Sequence, residues 1–372
     1  MKGICLKYFS FITTNLFLLK LFILTVMVRK EARFYEKIND SVRCLVCERR
    51  CLIYPGKRGI CWNYFNDNGK LFHIGYGKIS ALESRPIEIK PLFHYWPNST
   101  ALTYSTWGCN FYCPWCQNYH LSFTHPTDEE FIIEPEKIVE MALKYGDDGL
   151  SASFNEPAVN LDYIIDASEL AKNKGLYSMI VTNMYFTKNS LKALIEVGVD
   201  GFSVDIKGCN KMRVLTGIDH TTIFRNAAYA INAGAHVEMI YLVVTNTNDF
   251  EECFEWIINN HLKYLGSKVP LHINKYYPAY KWSEPPTSIN TLLKIREYAK
   301  KEGIEFVYVG NVHSTELEST YCPQCKKLLI MRSYYRVHEF KLDYIDGKYR
   351  CPRCGYEIPI KGKYIKKEYM LH

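Results

Sequence analysis

No fourth cysteine accompanies Cys109, Cys113 and Cys116. The run Cys109-Asn110-Phe111-Tyr112-Cys113-Pro114-Trp115-Cys116 spaces three thiols C-x3-C-x2-C and then stops. That absence excludes a closed tetrathiolate site built from this loop alone. Since a four-iron cluster is normally held by four thiolates, a trio leaves one iron open to something other than protein. Solitary cysteines are scarce as well. Of 14, only Cys5, Cys209 and Cys253 stand apart from three sets, the other two being Cys44, Cys47, Cys51 and Cys61, and Cys322, Cys325, Cys351 and Cys354. Such grouping argues against the disulfide framework of a secreted protein and for metal sites in a reducing compartment, the cytoplasm.

The chain has no uninterrupted apolar run of membrane length. Residues 9–28 come nearest, but Asn15 and Lys20 interrupt them, and a lysine in mid-span costs about 2.5–3.5 kcal/mol on insertion. A clear small-residue cleavage site is missing, which speaks against a signal peptide. A start at Met27, where Val28-Arg29-Lys30-Glu31-Ala32 opens a polar sequence, is preferred over an anchor, and no stable membrane insertion is expected. Excess charge is also absent from most of the chain. The formal net charge is +7, and from Tyr321 onward twelve Lys and Arg face five Asp and Glu, an excess equal to that of the whole. A tetrathiolate zinc site there would take back about two positive charges. A solvated basic face is therefore favoured over a nucleic-acid surface.

What is present is a composition for two or three globular domains: 372 residues, 48% hydrophobic and 23% charged. The 29 tyrosines read as composition bias. After an apolar extension over 1–33, residues 34–78 hold the first cysteine set among turns such as Asn66-Asp67-Asn68-Gly69, too few and too turn-rich for an apolar core of their own, so a metal would do that work. Zinc and a second cluster both suit Cys44, Cys47, Cys51 and Cys61, with zinc preferred because C-x2-C knuckles in small domains usually fold around it. From 79 to 313 short apolar runs alternate with amphipathic stretches. Residues 101–105, 150–154, 177–182, 201–206, 236–244, 270–274 and 305–310 read as strands, with helices at 135–145, 161–173, 188–196, 221–233, 249–261 and 289–302. This alternation predicts βαβ units and a parallel sheet, an α/β fold of the partial (β/α)6 TIM-like barrel kind.

In such barrels chemistry gathers at the carboxyl ends of the strands, and polar residues fall there repeatedly. The cysteine trio follows the first strand, Asn155 and Glu156 the second, Thr182 and Asn183 the third, Asp205 and Lys207 the fourth, and residues 245–249 the fifth, while His272 is placed near the end of the sixth. Six coincidences point to one cavity. Each has a plainer reading, Glu156 as a surface turn before Pro157 and His272 as a satisfied core histidine, and a buried Asp205 and Lys207 would need pairing. In 314–372, Cys322-Pro323-Gln324-Cys325 and Cys351-Pro352-Arg353-Cys354 form the two knuckles of a structural zinc ribbon, with no ligand position left for substrate.

The trio's spacing, Trp115 before its last cysteine and Gln117-Asn118 after it resemble the cluster loop of radical S-adenosylmethionine (SAM) enzymes. Ser105-Thr106-Trp107-Gly108, Asp205-Ile206-Lys207, Val307-Tyr308-Val309-Gly310-Asn311-Val312 and the ribbon together are similar to the radical SAM protein of the AmmeMemoRadiSam system, a pyruvate formate-lyase activating enzyme homologue, over nearly everything after Met27. The resemblance implies a [4Fe-4S] cluster on Cys109, Cys113 and Cys116, whose open iron chelates SAM and whose electron cleaves it to a 5′-deoxyadenosyl radical. It implies that Glu156 holds the SAM amino group and that Trp115, Asn155, Asn183, Asp205, Lys207 and His272 line the cofactor and substrate cavity. It further implies a low-potential flavodoxin or ferredoxin-like electron donor, with Memo-like and AMMECR1-like partner proteins. Glycyl-radical activation of a partner protein, and RNA modification or binding through the basic ribbon, are the alternatives. The sequence departs from the family at Met184, where glycine is usual after Thr-Asn, and Phe154-Asn155-Glu156 replaces the activating enzymes' Gly-Gly-Glu.

Overall fold

The computed structural model describes residues 29–127, 130–213 and 217–367. The apolar stretch 9–28 and the start at Met27 lie outside the described residues. At the centre eight strands lie side by side in sequence order. They are β1 (Ala81–Pro86), β2 (Thr100–Ser105), β3 (Gly149–Ala152), β4 (Tyr177–Thr182), β5 (Val199–Ile206), β6 (His236–Val243), β7 (Leu271–Lys275) and β8 (Val307–Gly310). β1 runs antiparallel to β2, and β2 to β8 are all parallel. The antiparallel edge was not foreseen, because Ala-Leu-Glu-Ser-Arg-Pro carries little apolar alternation and closes on a proline, which only an edge strand tolerates.

Parallel strands are covered on both faces and so read as continuous apolar runs; all four residues of β3 and the first four of β7 are buried. The crossing helices are α1 (Pro135–Tyr145), α2 (Leu161–Asn173), α3 (Lys188–Glu196), α4 (Thr221–Asn232), α5 (Glu251–Leu265) and α6 (Ile289–Lys301). Thr187 and Ser288 cap α3 and α6, each side chain accepting from a backbone N–H of the first turn. Leu191 and Leu194 of α3 and Leu292 and Ile295 of α6 are wholly buried, each stabilising the layer by about 1.5–3 kcal/mol. Two boundaries differ from the sequence reading. The second predicted strand stops at Ala152 because Phe154 turns through φ +69. α5 starts at Glu251 and runs to Leu265, where Gly266 at φ +83 ends it.

The amino-terminal segment forms two small sheets, of Tyr35–Ile38, Ser41–Cys44 and Leu52–Ile53, and of Lys30–Glu31, Tyr64–Asp67 and Lys70–His73. Its tight reversal is closed by Asn66, whose Oδ1 accepts from Gly69 N at 2.8 Å while its Nδ2 donates to the carbonyls of Asp40 and Ile53. The segment docks on α2 through buried Asp162, which accepts from Arg33 N at 3.0 Å and from the Tyr64 hydroxyl at 3.1 Å. At the other end, three-stranded sheets of Thr320–Tyr321, Leu328–Ser333 and Arg336–Phe340, and of Asp343–Ile345, Lys348–Arg350 and Glu357–Ile358, share an apolar core with Phe93, Phe306 and Tyr308. Arg332, 1% exposed, threads into this junction and donates to Thr320 Oγ1 at 2.7 Å and Phe93 O at 2.6 Å. Among the described residues, no helix is long and apolar enough to cross a membrane.

Candidate metal and cofactor site

A cavity of about 490 Å³ lies where the parallel strands end. Cys109, Cys113, Trp115, Cys116, Asn155, Glu156, Thr182, Asn183, Asp205, Lys207 and His272 all line it. Residues 245–249, expected there too, are not among its lining residues. Their polar groups serve the backbone instead: Asn248 Oδ1 accepts from Val244 N at 2.7 Å and its Nδ2 donates to Leu242 O at 3.0 Å.

The cysteine loop is shaped by local bonds. Phe111 N approaches Cys109 Sγ at 3.4 Å, Cys116 N donates to Cys113 O at 3.1 Å, and Cys116 Sγ lies 3.6 Å from Ser122 Oγ. Its first turn needs glycine. Gly108 has φ +85, and a Cβ there would stand 2.4 Å from the Cys61 carbonyl oxygen. Gly108→Ala is expected to cost more than about 1 kcal/mol, read as a lowered midpoint in urea; an unchanged midpoint would mean that this approach relaxes freely.

The carboxyl-terminal cysteines are gathered at the spacing of a single ion. A tetrahedral ion holding thiolates at about 2.3 Å sets them roughly 3.8 Å apart. Among the described residues, only Cys322, Cys325, Cys351 and Cys354 bring three or more such ligand atoms within 4.8 Å of one another. Their pairs Cys322–Cys354 and Cys325–Cys351 stand at 3.5 and 3.6 Å. Burial pushes the Cys113 thiol up to about 11 and raises that of Cys109, where the Glu156 carboxylate adds to it. Thiols raised in this way would shed their protons on binding a metal, so metal binding there would be coupled to proton release.

Glu156 is 4% exposed and rigidly held. Its Oε1 accepts from Ala158 N at 3.0 Å and Thr182 Oγ1 at 2.7 Å, and its Oε2 from Asn183 N at 2.8 Å. Burial raises its carboxyl pKa, and these three bonds oppose the rise. Asn155 Nδ2 donates to Gly108 O at 2.7 Å, tying the end of β3 to the cysteine loop, and Asn183 Nδ2 donates to Asn110 Oδ1 at 2.8 Å. Lys207 is paired with Asp205. Burial works against its charge, but that carboxylate and the Cys113 sulfur outweigh burial and hold its pKa above the usual lysine range. Asp205 Oδ1, Asn274 Oδ1 and Ser203 Oγ are buried cavity atoms without a hydrogen-bond partner among the described residues, an unmet demand that a polar ligand would satisfy.

His272 requires a correction. β7 continues to Lys275, so His272, its second residue, sits toward the amino end, while Asn274 and Lys275 occupy the carboxyl end. Its Nε2 lies 2.7 Å from Glu238 Oε2, and Glu238 Oε1 accepts from His94 N at 2.7 Å and lies 2.9 Å from His236 Nε2. A wholly buried glutamate inside the apolar strand His-Val-Glu-Met-Ile was the available sign that this strand carried more than packing. Arg85, Glu88 and Lys90, on and after β1, and Arg332 also line the cavity. Lys90, 5% exposed, lies 4.8 Å from the centroid of the Phe154 ring, and burial lowers its pKa to about 7. Burial also raises Glu88 to about 7. Met184 takes φ +58, a conformation glycine would adopt without strain, and buries its side chain fully in the core.

The first cysteine set folds directly over this loop. Cys44, Cys47, Cys51 and Cys61 line one small cavity of about 10 Å³ with Tyr64, Ala158 and Val159. Arg49 Nε donates to Asn110 O at 2.9 Å, and Asn63 Nδ2 donates to Trp107 O at 2.7 Å and Cys61 O at 3.0 Å.

Comparison with known proteins gives concordant matches. A family model described as the Radical SAM superfamily matches residues 103–257. An uncharacterised protein of Methanocaldococcus jannaschii is 39% identical over 335 residues, 89% of this chain and 99% of that protein. A putative glycyl-radical enzyme activating enzyme of the same organism is 27% identical over 246 residues, covering 62% of this chain and 87% of its own length. A pyruvate formate-lyase-activating enzyme of Streptococcus mutans is 24% identical over 191 residues, 48% of this chain and 72% of its own.

Proposed function

The chain belongs to the radical SAM superfamily and is an enzyme, and we propose that Cys109, Cys113 and Cys116 hold its [4Fe-4S] cluster, with SAM bound on the open iron beside Glu156. The observation that carries this reading is the convergence of three thiols, an anchored carboxylate and several unpartnered buried oxygens on one cavity. When bound, the cluster supplies one electron that cleaves SAM to methionine and a 5′-deoxyadenosyl radical, which takes a hydrogen atom from the substrate.

In this reading Glu156 is the counter-charge for the SAM ammonium, and its three internal bonds keep it from turning away. Asp205, Asn274 and Ser203 offer their unpartnered oxygens to other polar groups of the ligand. Trp115, 6% exposed, walls the cysteine loop and excludes water from it. His272, braced by Glu238, lies on the substrate side of the cavity with Lys207. Residues 79–313 form the catalytic unit, a partial barrel, flanked by the metal-binding segment 34–78 and a ribbon over 314–372 in which zinc sits on Cys322, Cys325, Cys351 and Cys354. A low-potential flavodoxin or ferredoxin-like donor supplies the electron in the cytoplasm, and AmmeMemoRadiSam-type proteins, Memo-like and AMMECR1-like, are its working partners.

Glycyl-radical activation is the second reading, favoured by the names of two relatives. It requires a stable radical on a partner protein, which electron paramagnetic resonance would detect. The RNA alternative is weakened because acids are interspersed in the basic ribbon, Glu339 pairing with Lys341 and Glu357 with Lys348. The deciding experiment adds dithionite and SAM to anaerobically reconstituted protein. Formation of 5′-deoxyadenosine with methionine is expected. Intact SAM with a fully loaded cluster would overturn the assignment.

A further inference from the structure

On the reading of the central cavity as a SAM and substrate site, we propose that its substrate is a small molecule bearing a carboxylate or phosphate group, bound by Lys90 with Arg332 as a second positive charge behind it. Both cations line the cavity and both are buried, Lys90 at 5% and Arg332 at 1% exposure. Buried charge is costly unless a charge of opposite sign meets it. Here the groups that meet the two cations are neutral. The Lys90 ammonium lies 4.8 Å from the centroid of the Phe154 ring. The Arg332 guanidinium lies 4.6 Å from the centroid of the Phe93 ring, its terminal nitrogens donate to Thr320 Oγ1 and Phe93 O, and its Nε has no hydrogen-bond partner among the described residues. Phe93 joins this pair of charges to the substrate side, its ring centroid standing 4.7 Å from that of His272.

The acids of the cavity do not supply the counter-charge. Glu156 is held by its three internal bonds, and Asp205 pairs with Lys207. Glu88 and Glu318 share the wall, but Glu88 turns Oε1 to Asn98 N at 2.7 Å, and its Oε2 has no hydrogen-bond partner among the described residues. Burial raises both carboxyls, Glu88 to about 7, so near neutrality they offset the cations only in part. Around Lys90 the fixed charges side with burial, because Arg85 disfavours the ammonium more strongly than Glu83 favours it. An anion seated against Lys90 removes that deficit through charge-assisted hydrogen bonds. The volume of about 490 Å³ is that of a small-ligand site, roughly 300–1,000 Å³, and SAM shares it, which suits a compact substrate.

The test reads binding without turnover. Anaerobically reconstituted protein is loaded with SAM in the absence of reductant, and succinate and inorganic phosphate are titrated separately by calorimetry at constant ionic strength, at a pH below the Lys90 value of about 7 so that the ammonium is charged. At least one of the two is expected to bind, which assigns the group as carboxylate or phosphate. Lys90→Met is expected to weaken that binding about tenfold or more, while Lys90→Arg, which keeps the charge, holds it within about threefold. Arg332→Gln also cuts hydrogen bonds at the ribbon junction, so Lys90 carries the decision; its methionine variant loses a buried charge and is expected to fold, as its urea midpoint will show. Binding no tighter than that of chloride, or undiminished in Lys90→Met, would overturn the proposal. So would binding that SAM abolishes, since the cations would then serve the carboxylate of the cofactor. SAM left intact by dithionite at a fully loaded cluster counts against the function proposed above, whereas anion binding absent from a protein that forms 5′-deoxyadenosine counts against the anionic substrate alone.

Discussion

Replacing Cys113 by alanine brings 5′-deoxyadenosine formation from SAM down to background, the largest activity loss expected of any single substitution. With two thiolates in place of three, the four-iron cluster has lost one third of its protein ligation at a site already one thiolate short of the usual four. The fold should survive, because the change removes one partly exposed sulfur and leaves the Cys116 N to Cys113 O bond intact. Chromatographic assay of 5′-deoxyadenosine and methionine under anaerobic conditions is the measurement, with Cys253→Ala as control. Cys253 is a wholly buried core cysteine far along the chain on α5 and should retain turnover. Persistent product from Cys113→Ala would mean that the trio is not the ligand set.

Replacing Lys90 by methionine stabilises the ligand-free protein at pH 7, an effect on the order of 3 kcal/mol. The sign follows from the proton. Burial, reinforced by Arg85 and opposed by Glu83, lowers the folded pKa of Lys90 to about 7 from 10.5. Between those values the unfolded chain holds a proton that the folded protein sheds, so stability rises with pH across this window and the full penalty applies below it. Methionine fills a similar volume against Phe154 without the charge. Urea unfolding of both proteins from pH 6.5 to 10 should show the parent gaining on the variant as pH rises. Parallel stability curves would show that the ammonium is not buried at such cost.

Much of the site was readable from local spacing. The cysteine sets announce themselves because their ligands lie within a few residues, and Asn155, Glu156, Asn183, Asp205 and Lys207 follow directly on apolar runs whose ends fix where polar side chains gather. What depended on distance in the fold was not readable. Lys90 and Arg332 reach the cavity from a segment ahead of β2 and from the ribbon, with no periodicity to announce either. The placement of His272 turned on where β7 stops, two or three residues away. Residues 245–249 have the composition of a binding loop, yet Asn248 spends its side chain on the backbone. The first cysteine set shows the limit most directly: C-x2-C-x3-C-x9-C suits zinc or a cluster, and sequence spacing alone does not choose between them.

Strand order carries a consequence for synthesis. Every strand of the central layer pairs only with its neighbours in sequence, so the layer can grow from one edge as the chain leaves the ribosome, amino-terminal parts first. Arg332 and Tyr335, which border the same cavity as the cysteine loop, are translated more than two hundred residues after Cys116, roughly 10–40 s later at bacterial and eukaryotic rates. The wall of the cavity is completed last, and for that interval the cysteine loop stands without these two neighbours.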